Sequence, residues 1–279
     1  MKNQELKLKY EIQLDRVQKI ALSGIGRALM FAKFCETGAY DLEKVNNPPR
    51  NEGAIFSNDF TPQIQPTEFQ KWKDDFVAWN LNNAVNEIIE SFFVFLEMSY
   101  FALHANGDRR RVNSGDVLGE VIKNWQNDVR NNLRTKNKIQ ALSDKGLQFS
   151  DDEKRIIESF WEIRNLISHN LGIADNRKKL DVDQGKITLK WYCWEIFAKL
   201  ESGGEIQLTG DPMPEAGDIC MRPKVLKTKE IGLNSHISFA LDEVQQIAWT
   251  FWLLVHDVSA KIKAVLDQSS KQEEIAKGV

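Results

Sequence analysis

The sequence predicts a mainly α-helical protein with a small β insertion before the last helix. Long segments repeat apolar residues every three or four positions, as helices do when one face packs on a core. Only between about residues 186 and 240 does the pattern change to alternation, with many β-branched and aromatic residues. Helical periodicity then returns and continues to Leu266.

The first predicted helix covers residues 5–37, where the apolar side chains form one long stripe. Gly24 and Gly26 lie inside the stripe and indicate either a kink or close packing against a neighbouring element. Pro, Asn and Gly are frequent in residues 38–66, which predicts a loop. We therefore expect residues 1–66 to be an N-terminal helix and loop packed on a bundle.

The second helix is predicted to begin at Thr67, since Thr67 and Gln70 have the spacing of a capping box. Its apolar residues continue to about His104. A third helix is expected over residues 117–142, where the apolar positions again follow helical spacing.

The fourth predicted helix opens with a second capping box, formed by Ser150 and Glu153. It is strongly periodic, and Gly172 is placed to end it in a left-handed turn.

The β insertion follows this helix. Residues 186–194 and 205–209 alternate and are predicted strands, and a third short strand is expected around Ile237 and Phe239. The proline-containing segment 210–233 is predicted to be a loop.

Asp242 then caps a final helix that is expected to run to Leu266. The polar residues 269–279 are expected to fray. The predicted bundle therefore covers residues 67–268.

The most informative stretch lies near the end of the fourth helix and runs E-I-R-N-L-I-S-H-N-L-G over residues 162–172. Because each helical residue advances by about 100°, its apolar residues fall on one side of the helix. The opposite side collects the groups that transfer protons or bind anions, which are Glu162, Arg164, Asn165, Ser168 and His169. Trp161 is the exception, a large aromatic residue in the middle of this polar face.

Arginine and histidine suit the cleavage of a phosphodiester without a metal ion. A histidine titrates near neutral pH and exchanges a proton with the 2′-hydroxyl or with the leaving oxygen. Arginine keeps its charge and offers a fork of donors to phosphate oxygens. The alternative is a solvated helix face, on which a histidine near the C-terminus interacts favourably with the helix dipole.

The full pattern is R-N-x-x-x-H-N-x-G-x-x-D, from Arg164 to Asp175. It resembles the Arg-x-x-x-x-His signature of the HEPN superfamily, all-helical proteins of which many are ribonucleases. The resemblance implies a HEPN-like helical bundle over residues 67–268, with the β insertion at about residues 186–240. It is specific only around residues 162–175.

The resemblance also implies roles for individual residues. Arg164 would stabilise the charge that develops on the phosphate, His169 would act as base or acid, and Asn165 would orient them. The expected supporting residues are Glu162, Ser168, Asn170 and, from the second helix, Glu90, for which a surface ion pair is an equal alternative. The expected RNA-binding residues are Trp161, by stacking on a base, and Arg177, Lys178 and Lys179, for which the alternative is a solvated loop.

A HEPN-type ribonuclease implies a homodimer, because one bundle supplies one Arg–His pair and the composite cleft uses both. Its substrate would be RNA, and its products would carry a 2′,3′-cyclic phosphate and a 5′-hydroxyl. Many such proteins act as toxins or in defence against phage, so the resemblance also allows an antitoxin or a nucleotidyltransferase as a partner. No cofactor and no metal ion is expected.

Composition limits the classes of protein that this chain belongs to. The net charge of −3 at pH 7 argues against strong, non-specific binding of nucleic acid. The 3 widely spaced cysteines indicate a reducing compartment without disulfides or structural zinc. No signal peptide and no membrane span is apparent, so a cytoplasmic protein is expected.

Two other interpretations remain open. The chain is alternatively a non-catalytic HEPN-like module that binds RNA, nucleotides or a protein partner, since a fold does not fix a function. The third interpretation is a helical structural protein unrelated to this superfamily.

Overall fold

The computed structural model describes most of the chain, in segments separated by gaps. These segments are residues 13–41, 69–107, 118–135, 138–169, 172–174, 182–183, 185–208 and 212–276. The described protein is mainly α-helical with a small antiparallel sheet before the last helix, as the sequence predicts. The helices are α1 (Leu14–Asp41), α2 (Phe69–Gly107), α3 (Leu118–Thr135), α4 (Lys138–Ser143), α5 (Asp151–His169) and α6 (Leu241–Ala276).

Several helices differ from their predicted bounds, and α1 ends at Asp41, four residues beyond its predicted end at residue 37 and within the predicted loop. The segment predicted as one helix over residues 117–142 contains two, since α3 ends at Thr135 and α4 begins at Lys138. The last helix runs to Ala276, ten residues beyond its predicted end at Leu266, so the prediction that the tail frays is wrong for residues 269–276. No described helix is both long and apolar enough to cross a membrane.

The strands are β1 (Val182–Asp183), β2 (Lys186–Leu200), β3 (Glu205–Gln207) and β4 (Gly217–Gly232). Strand β2 lies in the middle of the sheet. It pairs antiparallel with β4 along one edge, and with β1 and β3 at the two ends of its other edge.

The prediction of a loop over residues 210–233 is wrong, because most of this segment forms the long strand β4. The sequence predicted a loop here because Pro223 has no backbone N–H to donate and stands among charged residues, which are uncommon in strands. Pro223 and Lys224 lie where the register shifts between Cys193 and Glu195, and Lys224 has a left-handed φ of 59°. This position is a bulge, which is where a strand tolerates proline.

The prediction of a third short strand around Ile237 and Phe239 is also wrong. Both side chains are buried, but the segment makes only an isolated bridge between Ile173 and His236. The apolar alternation here therefore reflects burial of a loop and not strand pairing.

The chain divides into two compact units whose boundaries fall within α1, α2, α5 and α6. Unit 1 comprises the described residues within 1–25, 89–158 and 251–279. Its core contains the rings of Phe92 and Phe251, with centroids 5.1 Å apart. Gly24 of α1 lies directly against Ser91 of α2, so of the two alternatives, a kink or close packing, close packing is the one found at this glycine, and a Cβ atom at Gly26 would meet nothing within 4 Å.

Unit 2 comprises the described residues within 26–88 and 159–250, and it holds both the sheet and the end of α5. Phe160 of α5 meets Trp191 of β2 edge to face, with ring centroids 6.4 Å apart. The Trp191 indole donates a hydrogen bond of 3.0 Å to Gln246 of α6. These contacts give α5, the sheet and α6 a shared core within unit 2.

Candidate functional site

The start of α5 is held by the capping box that the sequence predicts. The backbone N–H of Ser150 donates to the Glu153 carboxylate at 2.6 Å, and the N–H of Glu153 donates to Ser150 Oγ at 3.2 Å. Lys261 donates to both carboxylate oxygens of Glu153, at 2.8 and 2.9 Å. The buried Glu153 carboxylate is therefore satisfied by a helix end and a cation together.

The division of α5 into two faces holds around the motif, where Ile156, Phe160, Ile163 and Leu166 are buried on the side away from the polar groups. Ile157, two turns before Arg164 and on the same side of the helix, is also buried, so the polar face does not extend to the first half of α5. The polar residues Trp161, Ser168 and His169 are exposed, while Arg164 and Asn165 are half-buried. Burial of the apolar stripe thus turns the polar groups of the Arg–His motif away from the core.

The end of α5 sets the position of His169, which is the last helical residue and is exposed. The predicted left-handed glycine is present, since Gly172 has a φ of 73°. Its N–H donates to the carbonyl of Leu166 at 3.2 Å, and its own carbonyl accepts a hydrogen bond of 2.7 Å from Ile237 N–H. Gly172 is therefore held by hydrogen bonds both to α5 and to the loop that precedes α6.

Arg164 contacts two side chains of its own helix. One guanidinium nitrogen donates to Asn165 Oδ1 at 3.2 Å, and the guanidinium carbon lies 5.6 Å from the centre of the Trp161 ring. Both contacts hold the fork of donors on the polar face of α5. Trp161 remains 37% exposed, so part of its ring is open to a ligand.

Ser168 connects the motif to a second helix. Its hydroxyl donates to Asn86 Oδ1 of α2 at 3.2 Å. Asn86 was not singled out from the sequence, although an amide within the apolar middle of α2 is a signal that a buried or bridging polar contact exists. A neighbouring residue on α2, Asn82, donates to the Ile237 carbonyl at 2.7 Å and lies beside Gly172.

The structure describes only some of the remaining predicted site residues. Glu162 is half-buried on α5, and Glu90 is half-buried on α2 within unit 1. Four predicted residues lie outside the described part of the chain, which are Asn170, Arg177, Lys178 and Lys179.

The described part of the site thus contains a fixed cation, an amide oxygen bonded to it, an exposed aromatic ring and an exposed imidazole. A guanidinium can bind a phosphate and an imidazole can exchange a proton, and Arg164 and His169 are about 7.5 Å apart along the helix axis and about 140° apart around it. Across the described segments, no group of three or more His, Cys, Asp or Glu side chains is arranged to hold a metal ion.

Comparison of the chain with models of protein families, with curated proteins and with solved structures found no match. The resemblance to the HEPN superfamily therefore depends on the sequence motif.

Proposed function

We propose that this protein is a metal-independent endoribonuclease of the HEPN type. The observation that carries the proposal is the end of α5, where Arg164 is bonded to Asn165 and His169 is exposed one turn further on. Such a pair supplies the two things that RNA cleavage requires, an anion-binding fork and a proton-transfer group.

In this reaction the 2′-oxygen of the substrate attacks the adjacent phosphorus and the bond from phosphorus to the 5′-oxygen breaks. His169 accepts the proton of the 2′-hydroxyl or donates one to the leaving 5′-oxygen, and Arg164 neutralises the charge on the phosphate oxygens. The products carry a 2′,3′-cyclic phosphate and a 5′-hydroxyl. One chain offers one Arg–His pair, so a homodimer would supply both the base and the acid.

The proposal includes a biological setting. The protein would act on RNA in the cytoplasm, where its 3 cysteines stay reduced, as a toxin or in defence against phage. An antitoxin or a nucleotidyltransferase would be its protein partner.

A second candidate is a non-catalytic module that binds RNA, nucleotides or a protein. It is favoured by the contacts of the motif within the chain, since Arg164 bonds to Asn165 and Ser168 bonds to Asn86. If the role of these polar residues is to hold α5 against α2, the contacts explain their presence without any catalytic function.

Cleavage of total RNA in the presence of EDTA separates the two functions. We expect the wild-type protein to produce fragments ending in 2′,3′-cyclic phosphate, and His169→Ala to produce none. His236→Ala is the matched control, because His236 is also exposed and lies in unit 2 outside the motif. Cleavage by His169→Ala at the wild-type rate would exclude the proposed site, and binding of RNA without cleavage by the wild type would favour the module.

A further inference from the structure

Two asparagines of α2 bond to segments at the end of α5. Asn82 and Asn86 are about one helical turn apart, so they lie on the same side of α2. Both are half-buried, and they stand in a stretch where neighbours such as Val85 and Ile88 are completely buried. An amide in such a stretch costs free energy unless it is hydrogen-bonded. The partners of the two amides therefore indicate what these residues do.

Asn86 holds the last turn of α5. Its Oδ1 accepts a hydrogen bond of 3.2 Å from the hydroxyl of Ser168. Ser168 directly precedes His169, which is the last residue of the helix. The end of a helix frays readily, because its last carbonyl groups have no partner within the helix. The bond to α2 opposes fraying next to the residue that carries the imidazole.

Asn82 holds the segment that follows α5. Its Nδ2 donates to the carbonyl of Ile237 at 2.7 Å. The N–H of Ile237 donates to the carbonyl of Gly172 at 2.7 Å, and the N–H of Gly172 donates to the carbonyl of Leu166 at 3.2 Å. A series of hydrogen bonds thus leads from α2, through the loop before α6, back to α5. All of these residues belong to unit 2.

The two bonds use opposite ends of the amide group. Asn86 provides an acceptor to Ser168, whereas Asn82 provides a donor to Ile237. Asn82 Oδ1 is buried and has no hydrogen-bond partner among the described residues, which is unfavourable. The amide at position 82 is therefore explained by its donor. An aspartate keeps an acceptor but lacks the N–H groups, so the same substitution should act differently at the two positions.

We propose that Asn82 and Asn86 are positioning residues, which hold the end of α5 and thereby place His169 relative to α2. The role rests on the proposed function, since the place of the imidazole matters to catalysis only if His169 transfers a proton. Proton transfer requires hydrogen-bond distance, so a small displacement slows the chemical step more than it weakens substrate binding. Arg164 is held by contacts within α5 and would still bind the phosphate.

Steady-state cleavage of a labelled RNA oligonucleotide of mixed sequence tests the catalytic consequence. Asn86→Ala should lower kcat by roughly 10- to 100-fold with little change in KM. Asn86→Asp keeps the acceptor and should retain most of kcat, while its negative charge raises KM by repelling RNA. Ser168→Ala should match Asn86→Ala, and the double variant should be no worse, because both changes remove the same bond. An Asn86→Asp variant with kcat as low as that of Asn86→Ala would overturn the proposal.

Position 82 should respond in the opposite way to aspartate. Asn82→Asp and Asn82→Ala both lose the donor, so both should lower kcat, and the alanine variant decides if the buried carboxylate prevents folding. Asn80→Ala is the matched control on the same helix, because the Asn80 amide donates to the Phe76 carbonyl of α2 itself. It should leave kcat and KM at their wild-type values. Full kcat in Asn82→Ala would contradict the role of Asn82.

Hydrogen exchange of backbone amides, followed by nuclear magnetic resonance, tests the positioning without RNA. Asn86→Ala should accelerate exchange at His169, and Asn82→Ala should accelerate it at Gly172 and Ile237, by roughly 10-fold. The amide of Lys154 at the start of α5 should be unaffected in both variants. Unchanged exchange at these three sites would overturn the proposal whatever the cleavage rates. Accelerated exchange with an inactive wild type would instead contradict the proposed nuclease and support the placement of α5 by the two asparagines.

Discussion

Arg164 and Ser168 belong to the same motif, but the contacts of the two side chains depend on different parts of the chain. Arg164 contacts Asn165, the next residue in the chain, and Trp161, which precedes it by three residues on α5. The i−3 spacing places Trp161 beside Arg164 wherever the helix lies. The contact of Ser168 is with Asn86, 82 positions earlier in the chain, and only packing of α5 on α2 creates it.

The thiol of Cys193 provides a prediction at the scale of one residue. Burial on β2 raises its pKa, which the nearby charge of Lys227 opposes and that of Glu195 reinforces. A raised thiol pKa keeps the unreactive protonated form dominant to higher pH. We therefore expect the pH midpoint for alkylation of Cys193 to be higher in the folded chain than in urea.

Mass spectrometry of the Cys193 peptide after timed alkylation measures this midpoint. Comparing midpoints instead of rates removes the effect of restricted access, which lowers the rate at every pH. A midpoint in the folded protein equal to or below that of the unfolded chain would contradict the prediction.

At the scale of elements, local patterns predict helices better than strands in this protein. Capping residues and apolar periodicity locate both ends of α5, because these signals act within a few residues. Strand β4 is stabilised by pairing with β2, which precedes it in the chain and is separated from it by residues 201–216. Pairing of this kind overrides the local preference of Pro223 for a loop, since the proline lies at a bulge.

Two glycines of α1 make a matched pair for testing how this helix packs. A Cβ atom at Gly24 would lie 2.2 Å from Ser91 Oγ and 2.9 Å from Ser91 Cβ, whereas a Cβ atom at Gly26 meets nothing within 4 Å. Gly24→Ala should lower the free energy of unfolding by about 1–3 kcal/mol, because the helices must move apart. Gly26→Ala should raise it by up to about 1 kcal/mol through helix propensity.

Urea unfolding of both variants, followed by circular dichroism at 222 nm, gives the two free energies. The sign of the difference is the decisive result, since both changes add the same methyl group. If Gly24→Ala were as stable as Gly26→Ala, the close approach of α1 to α2 at Ser91 would be incorrect.

At the scale of the molecule, unit 2 combines helices with a sheet. Helix α6 covers the part of the β2 edge that lies between β1 and β3. β1 and β3 pair with the ends of β2, and Thr250 of α6 bonds to the backbone of β2 between them. The buried Thr250 hydroxyl accepts from Tyr192 N–H at 3.0 Å and lies 2.9 Å from the Tyr192 carbonyl. A helix side chain thereby takes the place of a neighbouring strand.

Thr250→Val tests this junction with a nearly isosteric change. It leaves the buried N–H of Tyr192 without its acceptor and removes the hydroxyl proton that the Tyr192 and Gln246 carbonyls share, so the free energy of unfolding should fall by about 2 kcal/mol. Thr228→Val on β4 is the matched control, because Thr228 is exposed and its replacement should change stability by less than about 0.5 kcal/mol. Equal stabilities of the two variants in thermal and urea unfolding would exclude this role for Thr250.

The sequence by itself determined the helical class of the protein, the two faces of α5 and the caps at its ends. Each of these depends on residues within a few turns of one another, where periodicity and hydrogen bonding are local. Tertiary structure decided the pairing of β4 with β2, the contact of Asn86 with Ser168, and the ion pair of Arg27 on α1 with Glu87 on α2. These features join residues far apart in the chain, and they form only when long-range packing outweighs the entropy of closing the intervening loops.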